Sequence, residues 1–192
     1  LDVYPRTYDK QLDFSKSLLT NTLDTQHSIS GSTLDIFTGI ASCTVLPDDI
    51  LNAYTQWNTM NMLPNTTYTL TAELEEYPEN VDISKSQVYI NFIENEYNEP
   101  ATSHRTDFNI TDKRLNIEII TSSTYTNGHF KLGVCGDVSD AGLYKFKNLG
   151  VFLKSDYDAF PVDDNAPVAV EDPFNEAIIT EEHDGTLIDL TE

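Results

Sequence analysis

Basic residues are scarce in this chain: 11 Lys and Arg stand against 32 Asp and Glu, a formal net charge of −21 at pH 7 over 192 residues. Such a surface repels a phosphate backbone and argues against a nucleic-acid partner. Long apolar runs are missing too. No stretch approaches the roughly 18 consecutive apolar residues of a membrane helix, and Leu1-Asp2-Val3-Tyr4-Pro5 lacks the basic-then-apolar order of a leader. The expectation is a soluble chain with no membrane insertion. Cysteine is limited to Cys43 and Cys135, each inside an apolar run and without metal-site spacing. They read as small buried thiols, with a single disulfide as the alternative. Catalytic motifs are lacking as well. His27, His104, His129 and His183 are scattered without H-E-x-x-H, and there is no G-x-S-x-G and no glycine-rich phosphate loop. A glycosidase acid pair is defined by separation in space, to which sequence gives no access, so a non-enzyme is the expectation.

What the chain does have is 10 Tyr, 9 Phe and abundant Thr, Ile and Asn, a composition that suits pleated sheets and turns. Tyr68, Leu70, Ala72 and Leu74 alternate with Thr67, Thr69, Thr71 and Glu73 after a Pro64-Asn65 turn, which predicts a strand with one buried face. The same period marks Val88 to Phe92, Leu115 to Ile119 and Phe130 to Val134, and a final long run spans Leu143 to Leu153. Leu18 to Thr22 and Leu34 to Thr38 read as further strands, and Thr126-Asn127-Gly128 reads as a hairpin turn. Leu46 to Leu63 reads as irregular, with a helical turn after Pro47 and a strand near Met60. Eight or nine short strands without a long amphipathic helix predict an all-β antiparallel sandwich or jelly roll.

The organisation expected is an N-terminal arm or linker at 1–16, a sandwich domain at 17–160 and an acidic extension at 161–192. Asp156 to Glu192 contains 12 acids and no Lys or Arg, so more than half of the charge excess lies there. Within the extension, Ala177-Ile178-Ile179-Thr180 and Thr186-Leu187-Ile188-Asp189-Leu190 flank an Asp184-Gly185 turn. That pattern reads either as a hairpin docking on a neighbour or as a solvated tail.

Three segments carry a family resemblance: Ser17-Leu18-Leu19-Thr20-Asn21-Thr22, Leu63-Pro64-Asn65-Thr66-Thr67-Tyr68-Thr69-Leu70-Thr71-Ala72, and Gly142-Leu143-Tyr144-Lys145-Phe146-Lys147-Asn148-Leu149-Gly150-Val151-Phe152-Leu153. Together they resemble the carbohydrate-binding jelly-roll modules of glycan-degrading enzymes and of phage tail, baseplate or fibre proteins. The resemblance implies a non-enzymatic structural or adhesion component of a virion that binds host surface glycans. Its alternative is a module of a secreted polysaccharide-degrading enzyme or of a bacterial surface protein, extracellular or at the cell surface. It also implies homo-oligomers, with a trimer expected, or contacts to other virion proteins through the arm and the extension.

Sugar recognition needs flat aromatic faces for the apolar side of the ring and amides or carboxylates for the hydroxyls. Trp57, Tyr54, Tyr89 and Tyr125 are the candidate platforms, with Trp57 as a core anchor the competing reading. Tyr89 and Asn91 share the face opposite Val88 and Ile90, and Gln56 and His129 are further candidate donors. No cofactor is expected from the motifs. Modules of the resembling family often hold calcium, for which Asp48-Asp49 and the Asp137 and Asp140 pair are the best local clusters, with solvated turn carboxylates as the alternative.

Overall fold

Alternation of apolar and polar side chains builds two antiparallel sheets, which the computed structural model describes over residues 10–23, 32–47, 53–83, 87–95, 101–108, 113–135 and 140–162. The strands are β1 (Leu19–Leu23), β2 (Thr33–Asp35), β3 (Ile40–Val45), β4 (Ala53–Thr59), β5 (Thr67–Glu76), β6 (Gln87–Glu94), β7 (Thr102–Asp107), β8 (Arg114–Ile120), β9 (Gly128–Cys135) and β10 (Gly142–Leu153). A six-residue helix, α1 (Lys154–Ala159), follows. The front sheet runs β1-β4-β9-β6-β7 and the back sheet β2-β3-β10-β5-β8. The chain crosses repeatedly between layers, as in the jelly-roll sandwich that the alternation predicts.

The inner faces interlock in one core. Trp57, Ile90, Phe92, Phe130 and Leu132 come from the front sheet; Tyr68, Leu70, Leu74, Tyr144 and Phe146 come from the back sheet. Each such side chain contributes about 1.5–3 kcal/mol of burial. A bulge in β10 divides its contributions. Asn148 takes φ 55°, and the register shifts between Lys147 and Gly150. Tyr144 and Phe146 face the core before the bulge and Leu149 and Val151 after it, so Phe152 emerges on the outer side.

Phe152 there joins Tyr157 and Phe160 in a second cluster, against which Leu12 and Phe14 pack. Residues from Lys10 to Lys16, placed by sequence in an N-terminal arm or linker, pack on the body. Lys10 forms an antiparallel bridge with Val162, and Lys10 Nζ donates to the carbonyl of Asp158 at 2.7 Å. The chain divides after Val162. The expected C-terminal hairpin lies outside the described residues, as do residues 1–9 and Asp48, Asp49 and Asp137.

Three local expectations are corrected. Ala53–Thr59 is a regular strand rather than part of an irregular stretch; its inward residues Thr55 and Thr59 are polar, which hid the alternation around Trp57. Thr126-Asn127-Gly128 does not close a hairpin, because β8 and β9 belong to different sheets. Gly128 is required instead by packing, since a Cβ there would lie 2.4 Å from Phe92 Cζ. Finally, the thiols do not share one environment. Cys43 is buried in the core, Cys135 is half-buried on the opposite side of its strand, and both are free.

Candidate functional site

The outward face of the front sheet gathers most of the polar and aromatic side chains singled out for binding. In β4, Tyr54, Gln56 and Asn58 alternate with the inward Thr55, Trp57 and Thr59; in β9, His129, Lys131 and Gly133 alternate with the inward Phe130, Leu132 and Val134. In β6, Tyr89, Asn91 and Ile93 alternate with Val88, Ile90 and Phe92, so these strands turn one face to the core and the other outward. Strand register aligns them in three rows: Tyr54, Gly133, Tyr89 and Asp107; Gln56, Lys131, Asn91 and Arg105; and Asn58, His129, Ile93 and Ser103. Adjacent members of a row stand roughly 5 Å apart.

The first row is organised around Gly133. The Tyr89 ring lies over it so closely that a Cβ at this position would fall 2.0 Å from Tyr89 Cζ. The ring also carries the Arg105 guanidinium, whose Cζ is 3.8 Å from the ring centroid. Arg105 Nε donates to Asp107 Oδ1 at 3.0 Å and Nη2 donates to Gln87 Oε1 at 2.8 Å, which fixes the plane of the fork. Thus enclosed, Tyr89 is 5% exposed; burial, with a smaller effect of Cys135, pushes its phenol up to about 12 although Arg105 pulls the other way. A second stack stands beside it, with Lys131 Nζ 4.4 Å from the centroid of the Tyr54 ring. Ser103 Oγ donates to Asn91 Oδ1 at 2.9 Å, which orients that amide.

Other expected site residues lie elsewhere. Trp57, 1% exposed, points into the core and offers no face to a ligand, so its expected platform role is corrected to that of a core anchor. Tyr125 is corrected likewise: it is 8% exposed, belongs to the core cluster, and its hydroxyl is 3.4 Å from Thr59 Oγ1. Tyr89 and Asn91 take the outward parity expected of them but are buried rather than exposed. Gln56 and His129 are on the same face, fully buried and half-buried respectively. Asp140 is buried, and its backbone carbonyl accepts the Tyr144 hydroxyl at 2.6 Å. Among the described residues, no group of three or more His, Cys, Asp or Glu is placed to hold a metal ion.

Sequence reading missed Arg105, Asp107 and Ser103, all on edge strand β7, together with Lys131 and Gly133. The available signal was the period-two order Ser103, Arg105, Asp107, which lacks the aliphatic residues that mark the other strands. A separate polar centre lies at the end of β6. Glu94, with a fully buried side chain, accepts Ser122 N–H at 2.8 Å and pairs with His104 Nε2 at 2.9 Å.

No protein-family model and no curated protein matches this chain. Solved structures do. A family 16 carbohydrate-binding module aligns at 16% identity over 70% of this chain and 85% of its own, with a TM-score of 0.39. TmCBM61, solved in complex with beta-1,4-galactotriose, aligns at 12% identity over 72% of this chain and 99% of its own, at 0.37. The enzymatically active domain of tailspike protein 4 of bacteriophage CBA120 aligns at 11% identity over 77% of this chain and 22% of its own, at 0.42. At these values the likeness is one of architecture alone.

Proposed function

We propose that the body is a non-catalytic carbohydrate-binding domain whose ligand lies along the outward face of the front sheet, and that it serves as the adhesive part of an extracellular or virion assembly. The observation that carries this reading is the register that brings two tyrosines, amides and two cations into three parallel rows across β4, β9, β6 and β7. Tyr54, Asn58 and His129, half-buried, and Arg105, with 38% of its side chain accessible, offer the donors and acceptors for ring hydroxyls, while Gln56, Asn91 and Lys131 beneath them are buried and hold them in place. A binding rather than a hydrolytic role is supported by the carboxylate within the rows: Asp107 is bonded to Arg105, and no second acid stands opposite it in the rows.

The test is calorimetric titration of the full chain against a panel of cell-wall and capsular saccharides, with Tyr54→Ala and Asn58→Ala as site variants. Lys147→Ala, on the back sheet, is the control. Affinity falling about tenfold in both site variants and holding in the control is the expected result. Binding that survives both site variants would place the ligand elsewhere. The homotrimer that the resemblance implies is tested by sedimentation of the full chain: a mass three times 21.6 kDa supports it and a monomer mass contradicts it.

A further inference from the structure

A sugar face built for neutral saccharides leaves aromatic rings open, because the apolar side of a pyranose stacks on them. Here both tyrosines of the outward face already carry a cation. Lys131 stands over Tyr54, and the Arg105 guanidinium lies over Tyr89. What the β7 side of the face presents instead is the exposed edge of that guanidinium, 38% of the side chain being accessible. Arg105 uses Nε on Asp107 and one hydrogen of Nη2 on Gln87. Nη1 and the second Nη2 hydrogen have no partner among the described residues. These form a planar pair of donors already held in position by a stack and two hydrogen bonds, and the group they match is a carboxylate taken end-on.

We infer that the ligand of this face is an acidic saccharide, a uronate or another carboxylate-bearing sugar, and that Arg105 is the residue that selects it. The inference rests on the carbohydrate-binding reading above and narrows it to one ligand class. Charge balance is consistent with it. Within the three rows, Lys131 and Arg105 outnumber the single acid Asp107, in a chain whose overall charge is −21. That overall charge repels acidic polymers at long range, so selection depends on the local fork rather than on steering. Lys131, two strands away in the same row, is buried and stacked on Tyr54, so the accessible positive charge that the row turns to a ligand is that of Arg105.

The experiment compares oligomers of galacturonate, glucuronate and mannuronate with their own methyl esters, which keep the ring and remove the charge. A glycerol-phosphate polymer forms a further arm. Full-chain wild type, Arg105→Ala and Arg105→Lys are titrated with each, and thermal melts verify folding of the variants. Wild type is expected to prefer a free uronate over its ester by about tenfold or more. Arg105→Ala loses that preference without losing the ester, because removing the guanidinium uncovers Tyr89. Arg105→Lys keeps the charge but not the fork and recovers only part of the preference. Equal or tighter binding of the esters by wild type overturns the acidic-ligand inference and leaves the sugar face standing. Preference for the glycerol-phosphate polymer overturns the choice of carboxylate. Failure of every arm removes the carbohydrate reading along with the inference.

Discussion

Gly133 gives the outward face its most quantitative test. The three atoms nearest to a Cβ built at this position all belong to Tyr89, at 2.0, 2.3 and 2.4 Å. The substitution Gly133→Ala therefore meets first the buried ring that carries Arg105. Forcing a methyl group into such a space costs about 1–3 kcal/mol, while replacing glycine by alanine inside a strand returns roughly 0.5–1 kcal/mol. The net expectation for Gly133→Ala alone is a loss of about 0–2.5 kcal/mol, centred near 1 kcal/mol, equivalent to a few degrees in melting temperature at roughly 3 °C per kcal/mol. In a Tyr89→Ala background the obstacle is gone, and the same substitution becomes neutral or stabilising by about 0.5–1 kcal/mol. Urea unfolding of the four proteins of this cycle measures the coupling directly. If Gly133→Ala destabilises equally with and without Tyr89, the close approach of ring and glycine is wrong, and with it the placement of Arg105.

Further predictions concern the groups that hold the body together. Glu94→Ala strands the Ser122 N–H and His104 and lowers stability by about 3 kcal/mol, whereas Glu94→Gln recovers most of the loss; thermal melts decide, and equal effects of the two would contradict the bonding described. Trp57→Ala costs about 3–5 kcal/mol. Because the sole tryptophan faces the core, its emission in wild type is blue-shifted and unmoved by saturating ligand, while quenching on binding would put it back at the site. Cys43, raised from its ordinary 9.0 to about 12 by burial, and Tyr89, raised from 10.0 to about 12, are protonated in the folded chain. Unfolding frees them to ionise at lower pH, so their contribution to stability is complete below about pH 9 and is lost as pH rises towards 12. Denaturant midpoints measured across that window are expected to fall, and a flat profile would contradict the burial of both groups.

Much of the fold was legible because most strands bury an apolar row. Tyr68 to Leu74, Val88 to Phe92 and Phe130 to Val134 write their period plainly, and each is a strand with the expected face inward. β4 and β7 were not legible for opposite reasons. In β4 the core is met by Thr55, Trp57 and Thr59, so inward residues resemble outward ones. β7 is an edge strand with mostly exposed polar side chains and no aliphatic signature to detect. The hairpin expected at Asn127-Gly128 failed because a turn dipeptide cannot reveal which sheet the next strand joins. The candidate site was half legible. Parity placed Tyr89, Asn91 and His129 on one side of their sheet, but only the register across four strands brings them to Arg105 and Lys131. Parity is also silent on cover, so it could not tell that Tyr89 is enclosed by Gly133 and Arg105.

Residue-resolved amide shift mapping tests the central claim most directly. A saccharide from the panel is added to the isotopically labelled chain until binding saturates. Perturbations are expected to concentrate at Tyr54, Lys131, Gly133, Asn91 and Arg105 on the front sheet, leaving Ser42, Lys145 and Lys147 of the back sheet unmoved. Shifts confined to the back sheet, or to the core around Trp57, would contradict the account.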